Sequence, residues 1–149
     1  MSLSQQVLKE AGKLNLIDTS GSNLEIENLT AARTLTVKDS GKIFTLALAA
    51  GFAVTLPTVA AAGNGWYCEF IVRTAPTGAA YTVSSAANDI IGAIHSASGA
   101  NQGSTTAGLD VITFDVNVAL PGDRVKLLCN GTNFYFEGYC CTTLAITIT

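Results

Sequence analysis

The side chains that could carry chemistry are few, and their spacing does not gather them. His95 is the sole histidine, so a Ser-His-Asp relay would have to run through it. It sits within residues 92–108, a run of Gly, Ala, Ser, Asn and Thr that reads as a loop and not as rigid scaffold. The expected role of His95 is that of a solvated loop residue. Two carboxylate pairs, Asp110 with Asp115 and Glu69 with Asp89, are the combinations to weigh against the two-acid arrangement of a glycosidase. Nothing in the sequence brings either pair together, and turn or surface roles are expected for all four.

The remaining chemistry is equally sparse. Four cysteines, Cys68, Cys129, Cys140 and Cys141, are present. Adjacent residues of a strand point to opposite faces, so the Cys140-Cys141 pair cannot form one side of a tetrahedral zinc site as a CxxC turn does. Reduced thiols acting as small apolar groups are expected. A glycine-rich phosphate loop, a Walker A pattern and a DxDxDG calcium loop are all missing from the sequence. Trp66, Tyr67, Tyr135 and Tyr139 offer an aromatic platform of the kind that binds sugars, although Trp66 fits a β core better. The sequence therefore predicts no catalytic, cofactor or metal site.

The elements that would have to position these residues read as strands nearly throughout. Residues 111–120 alternate, with Ile112, Phe114, Val116 and Val118 on one face. Pro121-Gly122 turns the chain, residues 124–129 alternate again, and Asn130-Gly131 is a strong hairpin signal leading into residues 133–139. These three segments predict an antiparallel meander, followed by a last strand over 142–149 with Leu144, Ile146 and Ile148 together. Earlier, residues 34–38, 43–48 and 52–56 read as strands, Pro57 stops the third, and 58–65 connects to the long apolar strand 66–74. Large apolar groups on both faces make that strand central and covered on both sides. Short strands about ten residues apart, separated by Gly, Pro and Asn turns, predict an all-β domain, an antiparallel β-sandwich or barrel-like fold.

One segment departs from this grammar. Ser4 can cap a short helix with Val7, Leu8 and Ala11 on one side and Gly12 at its end, too short to stand alone in water. The expected organisation is an N-terminal arm, residues 1–13, and a single β domain, residues 14–149. Val7, Leu8 and Ala11 are the expected docking residues. Each larger side chain gains about 1.5–3 kcal/mol only where a partner covers it.

Composition narrows the function classes. Of 149 residues, 48% are hydrophobic and 13% charged, the latter about half the usual share for soluble domains. With a net charge of −3 and no basic stripe, nucleic acid is not an expected partner. The first ten residues lack the basic and apolar regions of a secretory leader, and no apolar run is long enough to span a bilayer, so cytoplasmic synthesis without membrane insertion is expected.

Two stretches resemble a known family. The run Lys42-Ile-Phe-Thr-Leu-Ala-Leu-Ala-Ala-Gly-Phe-Ala-Val-Thr-Leu-Pro57, then Ala62-Gly63 and the strand from Trp66 to Val72, resembles a pattern of phage virion β domains. Tyr81-Thr-Val-Ser84 with Asp89-Ile-Ile-Gly92 is similar to their second hairpin. The stretch Gly122-Asp-Arg-Val-Lys-Leu-Leu-Cys-Asn-Gly-Thr-Asn-Phe-Tyr-Phe-Glu-Gly138 is similar to their closing one. About half the chain is covered, by phrases that encode turns and strand faces and no active site. The resemblance to tailed-phage capsid decoration (cement) and head-fibre proteins implies a non-enzymatic virion protein. It would be assembled in the host cytoplasm and bound as a homotrimer to the major capsid protein on the capsid surface. The alternative is a carbohydrate- or host-binding module of a phage appendage.

Overall fold

The computed structural model describes residues 25–99 and 108–149; the expected arm, with Val7, Leu8 and Ala11, lies outside the described residues. Eleven strands follow in order: β1 (Glu25–Leu29), β2 (Arg33–Thr34), β3 (Lys42–Leu46), β4 (Ala53–Thr55), β5 (Asn64–Val72), β6 (Tyr81–Ser84), β7 (Ile90–Ser96), β8 (Val111–Phe114), β9 (Arg124–Asn130), β10 (Phe134–Cys140) and β11 (Ile146–Ile148). They form a six-stranded sheet, β1-β3-β5-β9-β10-β7, and a five-stranded sheet, β11-β8-β6-β4-β2. From β1 to β9 each successive strand belongs to the other sheet. The all-β sandwich expectation holds.

That alternation explains the one architectural correction. Through β6 the chain crosses to the opposite sheet and returns in its original direction, so β1, β3 and β5 pair parallel, as do β2, β4 and β6, whereas β8 returns against β6 and pairs antiparallel with it. Each crossing strand serves as the connection that parallel pairing requires. The sheets are therefore mixed and not antiparallel. Within the six-stranded sheet only β9 runs against its neighbours, pairing antiparallel with both β5 and β10.

The inner faces of the two sheets share one core. Phe44, Phe70, Leu127 and Phe134 from the larger sheet and Val54, Tyr81, Ile112, Phe114 and Ile146 from the smaller are fully buried. Buried polar atoms in this layer find partners. The Tyr81 hydroxyl donates to the Thr74 carbonyl at 2.8 Å and accepts from the Leu48 N–H at 3.0 Å, and the Trp66 indole donates to the Thr36 carbonyl at 3.2 Å. At Gly92 of β7 a Cβ would lie 1.9 Å from the Phe136 carbonyl oxygen of β10, so the two strands approach closely only because that side chain is missing. Where β1 and β3 start, Lys42 and Arg33 lie among Glu25, Glu27 and Asp39, and this ion cluster closes the end of the core over Phe44.

Several element boundaries differ from expectation for local reasons. The strand expected over 111–120 stops at Phe114 because the Asp115 carbonyl accepts from the Val118 and Ala119 N–H groups and Asn117 turns at φ 61°. The strand expected over 142–149 begins only at Ile146, since Leu144 adopts φ 65° within a turn closed by Ala145 and Thr142. Only β9 and β10 form the expected hairpin; β8 belongs to the other sheet. The strand expected over 34–38 is reduced to Arg33–Thr34 and a 3-10 turn, Val37–Asp39, and the connection 58–65 contains a helical turn, Val59–Ala62, capped by the Thr58 hydroxyl. Residues 92–96, expected in a loop, belong to β7.

Candidate functional site

The alternation that buries one side of each strand leaves the other side as the outer face of the six-stranded sheet. Register arranges that face in rows across the strands. One row runs Tyr67, Leu128, Tyr135, Ile91 over β5, β9, β10 and β7; the next runs Ile26, Ile43, Glu69, Lys126, Glu137, Ala93; a third runs Asn28, Thr45, Ile71, Arg124, Tyr139, His95. The first row is an apolar and aromatic strip in which Leu128 is 49% and Tyr135 44% exposed. Lys126, flanked by Glu69 and Glu137, makes the second row alternate in charge.

The third row stacks. His95 lies on the Tyr139 ring with centroids 5.4 Å apart, and from the other neighbouring strand the Arg124 guanidinium sits 5.4 Å from the same ring. Cations over tyrosine rings are held by the ring quadrupole. The Tyr139 hydroxyl donates to the Glu137 carboxylate, an interaction that pushes the phenol pKa up. Beside this stack, His95, Ser96, Gly122, Asp123, Arg124 and Cys141 line an open cleft of about 360 Å³.

The chemistry available in that cleft is weak. Asp123, buried at 1% exposure, spends its carboxylate on the backbone, accepting from Leu120 and Cys141 N–H groups at 2.8 Å each. Its negative charge raises the pKa of the exposed Cys141 thiol, and burial raises those of Cys68 and Cys140. Thiols held in the protonated form are poor nucleophiles and poor metal ligands. All four cysteines are free thiols. Among the described residues no three His, Cys, Asp or Glu side chains converge as a metal centre requires.

The sequence-derived candidates fall as follows. His95 stands on β7, a strand and not a loop, and its ring is committed to Tyr139. Asp110 and Asp115 flank opposite ends of β8. Glu69 lies on β5 while Asp89 accepts from the Ser85 hydroxyl just ahead of β7, with β9 and β10 between the two strands. Trp66 is core, 2% exposed, with its ring edge on Phe134. Tyr67, Tyr135 and Tyr139 do share one face, but in two separate rows. Strand 66–74 was expected to be covered on both sides; β5 is central, yet its second side is this outer face. Val7, Leu8 and Ala11 lie outside the described residues. Sequence reasoning did not single out Leu128, Ile91 or Arg124, whose placement depends on the nonlocal register of β9 with β5 and of β7 with β10.

No helix among the described residues is long and apolar enough to cross a membrane. No family model matches the chain, and neither the curated proteins nor the solved structures contain a match to it.

Proposed function

We propose that this chain is a virion structural protein that decorates the outside of a phage capsid as a homotrimer, bound to the major capsid protein and without catalytic activity. The observation that carries the reading is the outer face of the six-stranded sheet: a strip of Tyr67, Leu128, Tyr135 and Ile91 beside Arg124 and Tyr139. Tyrosine and arginine around an apolar centre form the composition typical of protein interfaces. A chain with only 13% charged residues has little other means of keeping such a face in water, and neighbours in a lattice would cover it. The likeness of the 42–92 and 122–138 phrases to virion β domains supports the same reading.

The carbohydrate-binding alternative has less support. A sugar needs an open aromatic face, and Tyr139 is flanked on both sides, by His95 and by Arg124. Capsids stripped of the protein and mixed with it again test the choice. Saturation at a fixed stoichiometry is expected; failure to rebind, with retention on a glycan array instead, would overturn the structural reading.

A further inference from the structure

The six-stranded sheet ends in two edge strands that are held in different ways. β7 buries Ile90 and Ile94, each at most 1% exposed, in the core. β1 pairs only with β3, in parallel, and buries a single side chain, Leu29. Its inward positions are Glu25, Glu27 and Leu29, in register with Lys42, Phe44 and Leu46. Two of the three places that face the core therefore carry carboxylates. Inward charges on an edge strand deter strand addition, and they leave little apolar burial to keep the strand in place.

What holds β1 is ionic. Lys42 Nζ reaches Glu25 at 2.8 Å, Glu27 at 3.3 Å and Asp39 at 3.5 Å, while Arg33 binds Glu27 and, at 2.7 Å, Asp39. Arg33 stands on β2, in the five-stranded sheet, so its bond to Glu27 clasps the edges of the two sheets together. Its guanidinium also lies 5.5 Å from the Phe44 ring centroid. On the outer side Asn28 accepts from the Thr45 hydroxyl and, at 2.9 Å, from Arg73. The Lys42 and Asp39 side chains are 17% and 7% exposed, whereas that of Glu25 is 67% exposed. Asp39 is fixed by the Thr36 N–H and hydroxyl, so both cations keep a partner when the carboxylates of β1 leave. A shielded cation without one would make opening far more costly.

We propose that β1 is an ion-latched flap. Glu25 and Glu27 form the latch, and Lys42, Arg33 and Asp39 form the fixed catch. When the latch is released, residues 25–29 leave β3 while both sheets otherwise persist. Opening bares the backbone edge of β3 and the Phe44 end of the core, and a backbone edge beside an apolar pocket is what strand addition uses. This goes beyond the function proposed above and does not depend on it.

Native-state hydrogen exchange of the full chain, read by peptide mass, tests the flap. The amides of β1 should exchange faster than those of β9 and β10 and should respond to the charges while those strands do not. Lys42→Gln removes three ionic contacts and is expected to speed β1 exchange about tenfold with β9 and β10 unchanged; Lys42→Arg should restore the wild-type rate. Raising salt from about 0.1 to about 1 M shortens the screening length from about 10 to about 3 Å. It should speed β1 exchange in the wild type too, which keeps the test decisive if the Gln variant fails to fold. Exchange of β1 in step with β9 and β10, or β1 rates indifferent to both the substitution and salt, would overturn the proposal.

Discussion

The two faces of the six-stranded sheet are built from the same strands by alternate residues, and they have different chemistry. On β5, Cys68, Phe70 and Val72 are at most 1% exposed, while Tyr67 and Ile71 on the other side are half-buried and Arg73 is exposed. On β9 and β10 the contrast repeats: Val125, Leu127, Phe134 and Phe136 point inward, and Arg124, Lys126, Leu128, Tyr135, Glu137 and Tyr139 point outward. The inner face is apolar and closes against a second sheet, which is sufficient to specify the fold. The outer face mixes tyrosine, leucine and charges in ordered rows, and it is the face on which the proposed interface is placed.

The sharpest way to break this comparison is to truncate one residue on each face. Phe70→Ala removes a fully buried ring stacked on Phe44 and is expected to cost about 3–5 kcal/mol in denaturant unfolding, whereas Leu128→Ala should change the monomer's stability by no more than about 0.5 kcal/mol. Comparable costs at the two positions would erase the distinction. A smaller loss, about 1–3 kcal/mol, is expected for Gly92→Ala, because the added methyl meets the Phe136 carbonyl where β7 and β10 touch. Its measurement is the same unfolding curve, and an unchanged midpoint would show that the close approach is dispensable.

Acid should act at the end of the core. Burial alone would raise the Asp39 pKa, but the Thr36 N–H and hydroxyl, with Arg33 and Lys42, more than offset it and hold the carboxyl below its ordinary value of 3.8. A lowered folded-state pKa means that the stabilisation is complete above the unfolded value and is lost as pH falls through the folded one. Melting of the Asp39→Asn variant should therefore fall less than that of the wild type between about pH 5 and 2. The smallest effect is chemical: in the native protein Cys141 should react with a thiol reagent while Cys68, Cys129 and Cys140 react only on unfolding, as their burial dictates.

The faces of single strands were legible in the sequence, while the pairing of strands was not. Alternation and the Asn130-Gly131 turn placed β9 and β10 because the hairpin is local. The parallel ladders joining β1, β3 and β5 depend on strands separated by a passage through the other sheet, and no short-range signal encodes that passage. Expected strands over 111–120 and 142–149 ran too long because single residues, Asn117 and Leu144, turn into the left-handed region inside alternating patterns. The outer strip escaped for the same nonlocal reason: Tyr67, Leu128, Tyr135 and Ile91 become neighbours only through three strand pairings. His95 was misplaced because its small-residue surroundings resemble a loop, although the parallel pairing with β10 holds them in a strand.

The central claim is that the outer face is an interface and not part of the fold. Analytical ultracentrifugation of the full chain beside the Leu128→Lys, Tyr135→Lys double variant, with circular dichroism on the same samples, tests it most directly. The account predicts that the wild type sediments as a trimer and the variant as a monomer with the same β spectrum. A variant that assembles like the wild type, or a wild type that sediments as a monomer at micromolar concentration, would contradict it.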